Sequence, residues 1–378
     1  MAKKKKSEIV DKPEEQVEDT QASQEPTVEE AEEPRIDDIQ TLDKPSADDD
    51  SELKKLLKMA DSTFGEGVIA SVCDIIDVKK VSTRNLLLDI LTNGGLPKGS
   101  VTLFAGEESG GKTMQTLLLA SVFTSQKIPV LYIGVEGDFD KNWAIKLGND
   151  EKYFYIARPA DLETAINIAE VATKSKRFGL VIFDSVTAGV PKEALDKDAF
   201  SQQMALQARL NAKLCQKLTS ALQPSNLRDP NAYNNTLVVL IAHIREKVGV
   251  MYGNPEIIPG GHALKHHASY IIKFRRGAVL KQGENIVGRE MHIKVEKAKF
   301  SRPLVSGITE LFFDPPRLNN AKVMITYAIQ MGIIAKSGPY YTYKDVKSLG
   351  QKALLIDLKG KPGMLEEIKE SLIKTFNK

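Results

Sequence analysis

Cysteine and tryptophan are scarce in this chain: 378 residues hold two of the first, Cys73 and Cys215, and one of the second, Trp143. Two cysteines far apart in sequence form no metal-ligand spacing, so a cysteine-built metal centre is excluded. The expectation is two reduced, buried thiols in a reducing cytoplasm. Also missing is any apolar run near the roughly 20 residues that span a bilayer. The opening MAKKKK is not followed by an apolar stretch, which argues against a secretion signal and for a soluble chain with no membrane partner. Aromatic residues are absent from the first fifty positions. That segment is rich in Glu, Asp, Gln, Ser and Pro, and it cannot bury enough surface to offset its chain entropy. Residues 1–50 are therefore expected to be a disordered acidic arm.

Charge is plentiful but unevenly placed. The net charge is +2, yet residues 7–50 carry 17 acids against Lys12, Arg35 and Lys44, a balance of −14. Residues 1–6 add +4, which leaves +12 on residues 51–378. A basic body behind an acidic arm suits a polyanionic partner. The arm reads as a solubilising tail, or as a segment that competes with nucleic acid for the body.

From Ser51 the pattern turns helical, SELKKLLKMADSTFG, with Leu53, Leu56, Leu57 and Ala60 on one face and Gly65 closing it. Residues 51–85 are read as a segment that docks on the main domain or on a neighbouring subunit. After it, apolar runs alternate with helical patterns: VTLFAG, VLYIGVE, GLVIFDS and TLVVLIAHI. Runs apolar at nearly every position imply strands covered on both faces, and with intervening helices they imply a mostly parallel α/β sheet. YIIKFRR, MHIKVEKA and ITELFFD follow without helices and should be antiparallel additions. The core is placed at residues 86–316, where Asp314-Pro315-Pro316 breaks the pattern. Residues 317–378 read as a small C-terminal α/β domain, helical near 321–331 and 361–376 around a polar-aromatic GPYYTYKD.

Residues 106–113, GEESGGKT, fit G-x-x-x-x-G-K-[ST], and they sit between an apolar strand and a helical run, the context this motif requires. Gly106, Glu107, Glu108, Ser109, Gly110 and Gly111 would turn backbone N–H groups around phosphate oxygens at a helix N-terminus. Lys112 would supply a point charge to ATP, and Thr113 a hydroxyl to Mg²⁺; Met114 follows them in the motif's helix. Asp184, ending the strand GLVIFDS, is the expected second acid of the magnesium site. Ser185 beside it suggests no role. Glu136 ends the neighbouring strand and is the candidate base for the attacking water. Asp140 and Trp143 stand where they could meet the adenine edge and face.

These blocks come in a telling order. VSTRNLLLDILTNGGLPKG, GEESGGKT, VEGDFDKNWAIKLG, VIFDSV, GVMYGNPEIIPGGHALK and GENIVGREMHIKVEKAKF together resemble, in order and spacing, the bacterial RecA recombinase family. The resemblance runs from about residue 54 to the C-terminus and leaves out the acidic arm. It implies a RecA-type P-loop ATPase core that coats single-stranded DNA as a helical homo-oligomeric filament and exchanges strands with homologous duplex. Loading and single-strand-binding proteins are implied partners, and the bacterial cytoplasm, or that of a phage-infected cell, the implied location. Asp140 and Trp143 match the adenine contacts, while Lys297 and Lys299 match lysines that reach the neighbouring subunit's nucleotide. Residues 240–267, LIAHIREKVGVMYGNPEIIPGGHALKHH, correspond to the second DNA loop. There Arg245 and Lys247 would meet phosphates, Met251 and Tyr252 would wedge between bases, and Gly260 and Gly261 would let the backbone come close. Stacking of this kind contributes roughly 1–3 kcal/mol per base and accepts any sequence. Residues 191–203 correspond to the first DNA loop. Arg209 matches a DNA contact; Lys213 and Lys217 continue its row at i+4 and i+8 and read equally as a solvated face.

One position departs from the family. His243 stands where a glutamine senses the γ-phosphate. A neutral imidazole can still donate one hydrogen bond and a protonated one would hold phosphate more strongly, so coupling should survive and depend on pH near about 6–7. His266 replaces an aromatic at a subunit contact. A ring-forming helicase on a similar core and a DNA-binding mediator without turnover are the competing readings.

Overall fold

Each apolar run becomes a strand, and their order explains why so many residues between positions 101 and 274 are buried. The computed structural model describes residues 47–137, 139–192, 200–246, 256–259 and 262–376. The acidic arm up to residue 46, most of residues 191–203 expected to form the first DNA loop, and Lys247, Met251, Tyr252, Gly260 and Gly261 lie outside the described residues. The chain divides into two units, residues 1–56 and 57–378.

In chain order the main strands are β1 (Val101–Gly106), β2 (Val130–Gly134), β3 (Phe154–Ala157), β4 (Leu180–Asp184), β5 (Leu237–His243), β6 (Tyr270–Gln282), β7 (Asn285–Ala298), β8 (Val305–Phe313) and β9 (Pro316–Leu318). They form one nine-stranded sheet in the order β9-β8-β7-β6-β1-β5-β4-β2-β3. From β6 to β3 every pairing is parallel, and from β6 to β9 every pairing is antiparallel. Strand β6 belongs to both halves: Tyr270 to Phe274 run parallel to β1 before the strand continues into the hairpin with β7. Edge strand β3 is apolar at all four positions, yet as an edge strand it leaves Tyr155 and Ile156 exposed.

The described helices are α1 (Ala47–Phe64), α2 (Leu86–Leu91), α3 (Lys112–Ser125), α4 (Lys141–Lys146), α5 (Leu162–Lys174), α6 (Phe200–Leu222), α7 (His262–His267), α8 (Asn320–Gln330), α9 (Gln351–Lys359) and α10 (Met364–Phe376). Gly65, at φ +109°, follows α1 and donates its N–H to the Asp61 carbonyl, the left-handed stop that glycine adopts most readily. Alternate side chains of β1, β4 and β5 enter two different cores. Phe104, Ile182, Val239 and Ile241 pack with α2, α3 and the C-terminal helices. Leu103, Val181, Phe183, Leu240 and Ala242 pack with α5, α6 and α7. Each fully buried side chain of this size contributes roughly 1.5–3 kcal/mol, enough to lock the register.

The C-terminal module contributes Val323, Met324, Ile325, Leu354, Ile368 and Leu372 to the first of these cores, so its apolar face is continuous with that of the sheet. The GPYYTYKD segment is the central strand, with its two flanking turns, of a three-stranded antiparallel sheet, Ala335–Ser337, Tyr340–Tyr343 and Val346–Leu349. Helix α9 was not expected. The expectation of two buried thiols is corrected: Cys215 is buried among apolar residues that push its thiol up to about 12, but Cys73 is exposed.

Parallel strands in one register end together. Gly106 pairs with His243, Asp184 with Ile241 and Gly134 with Asp184. The carboxyl ends of β1, β5, β4 and β2 therefore present the phosphate-loop start, His243, Asp184 and Glu136 along one rim. Open α/β sheets bind ligands at that rim.

Candidate active site

The glycines of GEESGGKT are required by space. A Cβ on Gly106 would lie 2.2 Å from the Phe274 carbonyl oxygen, and one on Gly111, at φ +98°, would lie 2.4 Å from the Met291 sulfur. Ser109 also takes a positive φ, +57°. The turn closes through Gly110 N–H to the Glu107 carbonyl at 3.3 Å. It is pinned to the antiparallel half of the sheet by Arg276 on the Glu107 carboxylate (3.1 Å) and Arg289 on the Ser109 carbonyl (3.2 Å). Gly111 caps α3 without a side-chain hydrogen bond, which leaves the first N–H groups of the helix directed at the cradle. Among the residues read as binding the nucleotide, Met114 is buried and packs with Leu117, Leu118 and Leu311.

Lys112 is 4% exposed. Its ammonium donates to the carbonyls of Gly106 (3.0 Å) and Glu107 (2.7 Å) and lies 3.5 Å from His243 Nδ1. Burial lowers its pKa, and the carboxylates of Asp184, Glu136, Glu108 and Glu107 oppose that shift. His243 Nε2 is 2.9 Å from Glu136 Oε1. A carboxylate accepts only, so Nε2 carries the proton, and Nδ1 keeps its lone pair toward Lys112. One imidazole thus bridges the phosphate-loop lysine and the candidate base. Glu136 also accepts from Ser185 Oγ at 2.5 Å. The His243 bond, then the Ser185 bond, hold its carboxyl below the usual range, although burial works the other way.

Asp184 is buried and burial raises its pKa, an effect only partly offset by the Tyr132 hydroxyl that donates to Oδ2. Tyr132 carried no expectation as a site residue, because in VLYIGVE it reads as one more core side chain. If its hydroxyl fixes the carboxylate, Tyr132→Phe should raise the Mg²⁺ concentration needed for half-maximal nucleotide binding about fivefold, the equivalent of roughly 1 kcal/mol for one lost hydrogen bond. Trp143 fluorescence during a Mg²⁺ titration reads this directly, and an unchanged midpoint removes Tyr132 from the site.

Beside the loop, exposed Thr113 faces a cavity of about 550 Å³ lined also by Tyr132, Phe139, Asp140, Trp143 and Arg158. Asp140 caps α4 by accepting from the Trp143 N–H at 3.1 Å, which sets the indole at the cavity wall. The residues suit the group expected there: an uncapped helix start for phosphates, a hydroxyl and a buried carboxylate for a hard cation, and an indole for a base. Glu136, Asp184 and His243 bring one ligand atom each within 4.8 Å of one another, so cation donors crowd this rim.

Other expected residues lie elsewhere on the surface. Lys297 donates to the carbonyls of Lys265 (2.6 Å) and His266 (2.9 Å) at the end of α7, and burial with nearby Lys299 lowers its pKa. Arg209 and Lys213 are exposed on α6, whereas Lys217 is ion-paired to Glu170 of α5, so the basic row does not continue past Lys213. Arg245 is exposed, on a short ladder in which Arg245 and Glu246 pair with Ile257 and Glu256. Glu256 holds Lys273 (3.2 Å) and Arg275, tying the segment at Glu256 to β6. Because His243 sits between Lys112 and Glu136, comparing DNA-stimulated turnover of the parent and His243→Gln isolates the imidazole: weaker stimulation is expected in the variant, and equal stimulation would refute a role for the ring.

The arrangement has close sequence counterparts. A family profile described as the RecA N-terminal domain matches residues 51–315. Protein RecA of Bacteroides thetaiotaomicron is 32% identical over 332 residues, covering 86% of this chain and 97% of that protein. Protein RecA of Thermus aquaticus is 33% identical over 333 residues, 86% and 94% of the two chains. Protein RecA of Chloroherpeton thalassium reaches 35% over 310 residues, 80% and 83%. With the phosphate loop, Asp184 and Glu136 on one rim and the family profile spanning that whole rim, this chain belongs to the RecA family of recombinases.

Proposed function

We propose that this chain is a Mg²⁺-requiring, DNA-dependent ATPase that forms a filament on single-stranded DNA and carries out homologous pairing and strand exchange with duplex DNA. The observation that carries the reading is His243. It touches the phosphate-loop lysine and the candidate base, and two residues later the chain enters the loop read as DNA-binding. Nucleotide state and DNA grip thus meet at one strand end.

In this reading the loop N–H groups and Lys112 hold the triphosphate, which requires the Lys112 ammonium to leave the two carbonyls it now contacts. Thr113 and Asp184 would hold Mg²⁺, which supplies charge neutralisation at the phosphates. Trp143 and Asp140 orient the base, and Glu136 orients and deprotonates the attacking water through the oxygen His243 and Ser185 leave free. Lys297 and Lys299 serve the neighbouring subunit's nucleotide. Arg209 and Arg245, with Lys247, Met251, Tyr252, Gly260 and Gly261, serve DNA.

Assembly is supported by apolar exposure. Met59, Phe64, Val72 and Ile75 expose 65%, 74%, 84% and 43% of their surface. A run like this asks for a partner surface, and a head-to-tail contact whose rotation does not close gives an open filament. No helix among the described residues is long and apolar enough to cross a membrane. A strand-exchange assay with homologous linear duplex tests the reading: joint molecules should appear with ATP and vanish in Lys112→Ala. Rings instead of filaments in electron micrographs with single-stranded DNA and ATP would overturn it.

A further inference from the structure

Ser185 and Thr187 follow the magnesium-site aspartate, on the segment that leads from β4 toward the first DNA loop, and neither side chain reaches the nucleotide cavity. Both are buried. Ser185 Oγ bonds Glu136 Oε1 at 2.5 Å and Thr187 Oγ1 at 3.1 Å, and Thr187 Oγ1 accepts from the His243 backbone N–H at 3.1 Å. The proton count gives these bonds a direction. Ser185 has one hydroxyl proton, and a carboxylate can only accept, so that proton points at Glu136. The Thr187 proton must then point at Ser185 Oγ, and the lone pair left on Thr187 takes the His243 N–H. The result is a closed ring: His243 N–H to Thr187, Thr187 to Ser185, Ser185 to Glu136, with the His243 imidazole returning to the same Glu136 oxygen.

The ring joins three elements. Glu136 follows β2, Ser185 and Thr187 follow β4, and His243 ends β5. The segment after β4 is held from its other side: Gln207 donates to the carbonyls of Val186 and Thr187 and Asn211 to that of Val186, both from α6, the helix that leaves the first DNA loop. The segment after β5 opens into the second DNA loop at Arg245. A shift at the first loop root therefore reaches the carboxylate by way of Thr187 and Ser185, and one at the second root reaches it by that path as well as directly through the His243 imidazole.

We infer that Thr187 and Ser185 are positioning residues through which the two DNA-loop roots set the orientation of Glu136, so that their hydroxyls transmit DNA stimulation to hydrolysis. The inference rests on the DNA-dependent ATPase reading. It assigns the coupling to hydroxyl groups and not to packing, which makes the conservative pair Thr187→Val and Thr187→Ser decisive. Valine keeps the shape and removes both hydrogen bonds; serine keeps the bonds and removes a methyl.

The full chain and its Thr187→Val, Thr187→Ser and Ser185→Ala variants are compared by ATP turnover with and without an oligothymidylate. Nucleotide affinity is followed by Trp143 fluorescence, and folding by thermal unfolding. Thr187→Val should keep nucleotide affinity within about twofold of the parent while its DNA stimulation falls about tenfold, the size of two lost neutral hydrogen bonds, and Thr187→Ser should recover to within about twofold. A stimulated Thr187→Val overturns the inference, as does a Thr187→Ser that is folded yet as poor as valine. If Thr187→Val does not fold, Ser185→Ala breaks the same path one link further on, and retained stimulation there overturns the inference equally. A parent chain that DNA does not stimulate brings down the recombinase reading as well, whereas a stimulated parent with an equally stimulated Thr187→Val brings down this inference alone.

Discussion

Replacing Glu136 by glutamine should slow ATP hydrolysis by about 10²- to 10⁴-fold while nucleotide still binds, the range expected for loss of a positioned general base. The amide keeps the size of the side chain. It can still accept from Ser185, but it cannot take a proton from water. Glu136 touches the nucleotide cavity's rim and not its walls, so affinity read by Trp143 fluorescence should stay within a fewfold of the parent. Single-turnover hydrolysis with phosphate release as the readout separates the two quantities. Turnover within tenfold of the parent would place the base elsewhere.

The pH behaviour of Glu136 has a definite sign. Its carboxyl is held below the ordinary value of 4.5 by the His243 and Ser185 donors. The ionised form therefore persists from neutral pH down past the usual carboxylate range, and Glu136 should impose no acid limb on turnover near neutrality. For stability, the contribution of these bonds is present above the unfolded-state value and is lost as pH falls through the lowered folded-state value. Asp184 runs the other way: burial raises its pKa, so its ionised form costs stability near neutral pH and acid relieves that cost.

Lys112→Ala should remove nucleotide binding as well as hydrolysis, with a loss in kcat/KM of about 10²- to 10³-fold or more, as for deletion of one preorganised charge donor in a water-poor site. It differs from Glu136→Gln in where the loss falls. Lys112 would bind phosphate in the ground state, so Trp143 fluorescence should report weaker nucleotide binding. The protein should remain folded, since truncation takes away a buried ammonium and frees only two backbone carbonyls at the loop. A Lys112→Ala chain that binds nucleotide like the parent would show that the backbone cradle alone holds the phosphates.

Much of this molecule can be read from local pattern. The strand–glycine loop–helix sequence at residues 101–125 names a phosphate site because strand, turn and helix are contiguous in the chain, and so their relative geometry is largely local. Runs such as GLVIFDS and TLVVLIAHI announce strands buried on both faces because every position must be apolar there. Edge strand β3, the split allegiance of β6 and helix α9 were not announced, because β3 is only four residues long and the amphipathic signal of α9 is short. Exposure of Cys73 likewise depends on packing that no neighbouring residue reveals.

Order along the chain was enough to point to the family, and to single out the glycine-rich loop and the two acids at or just after strand ends, since each is a matter of residue types at fixed spacing. It could not say that Tyr132 reaches Asp184, that Lys217 is spent on Glu170, or that Ser185 and Thr187 close a ring with His243 and Glu136. Those pairings join residues up to 107 positions apart. The strand-end pairings exist because parallel strands β2, β4 and β5 lie in one register, and the Lys217 pair because α5 packs on α6; a hydrogen bond forms only when three-dimensional packing brings donor and acceptor to about 3 Å.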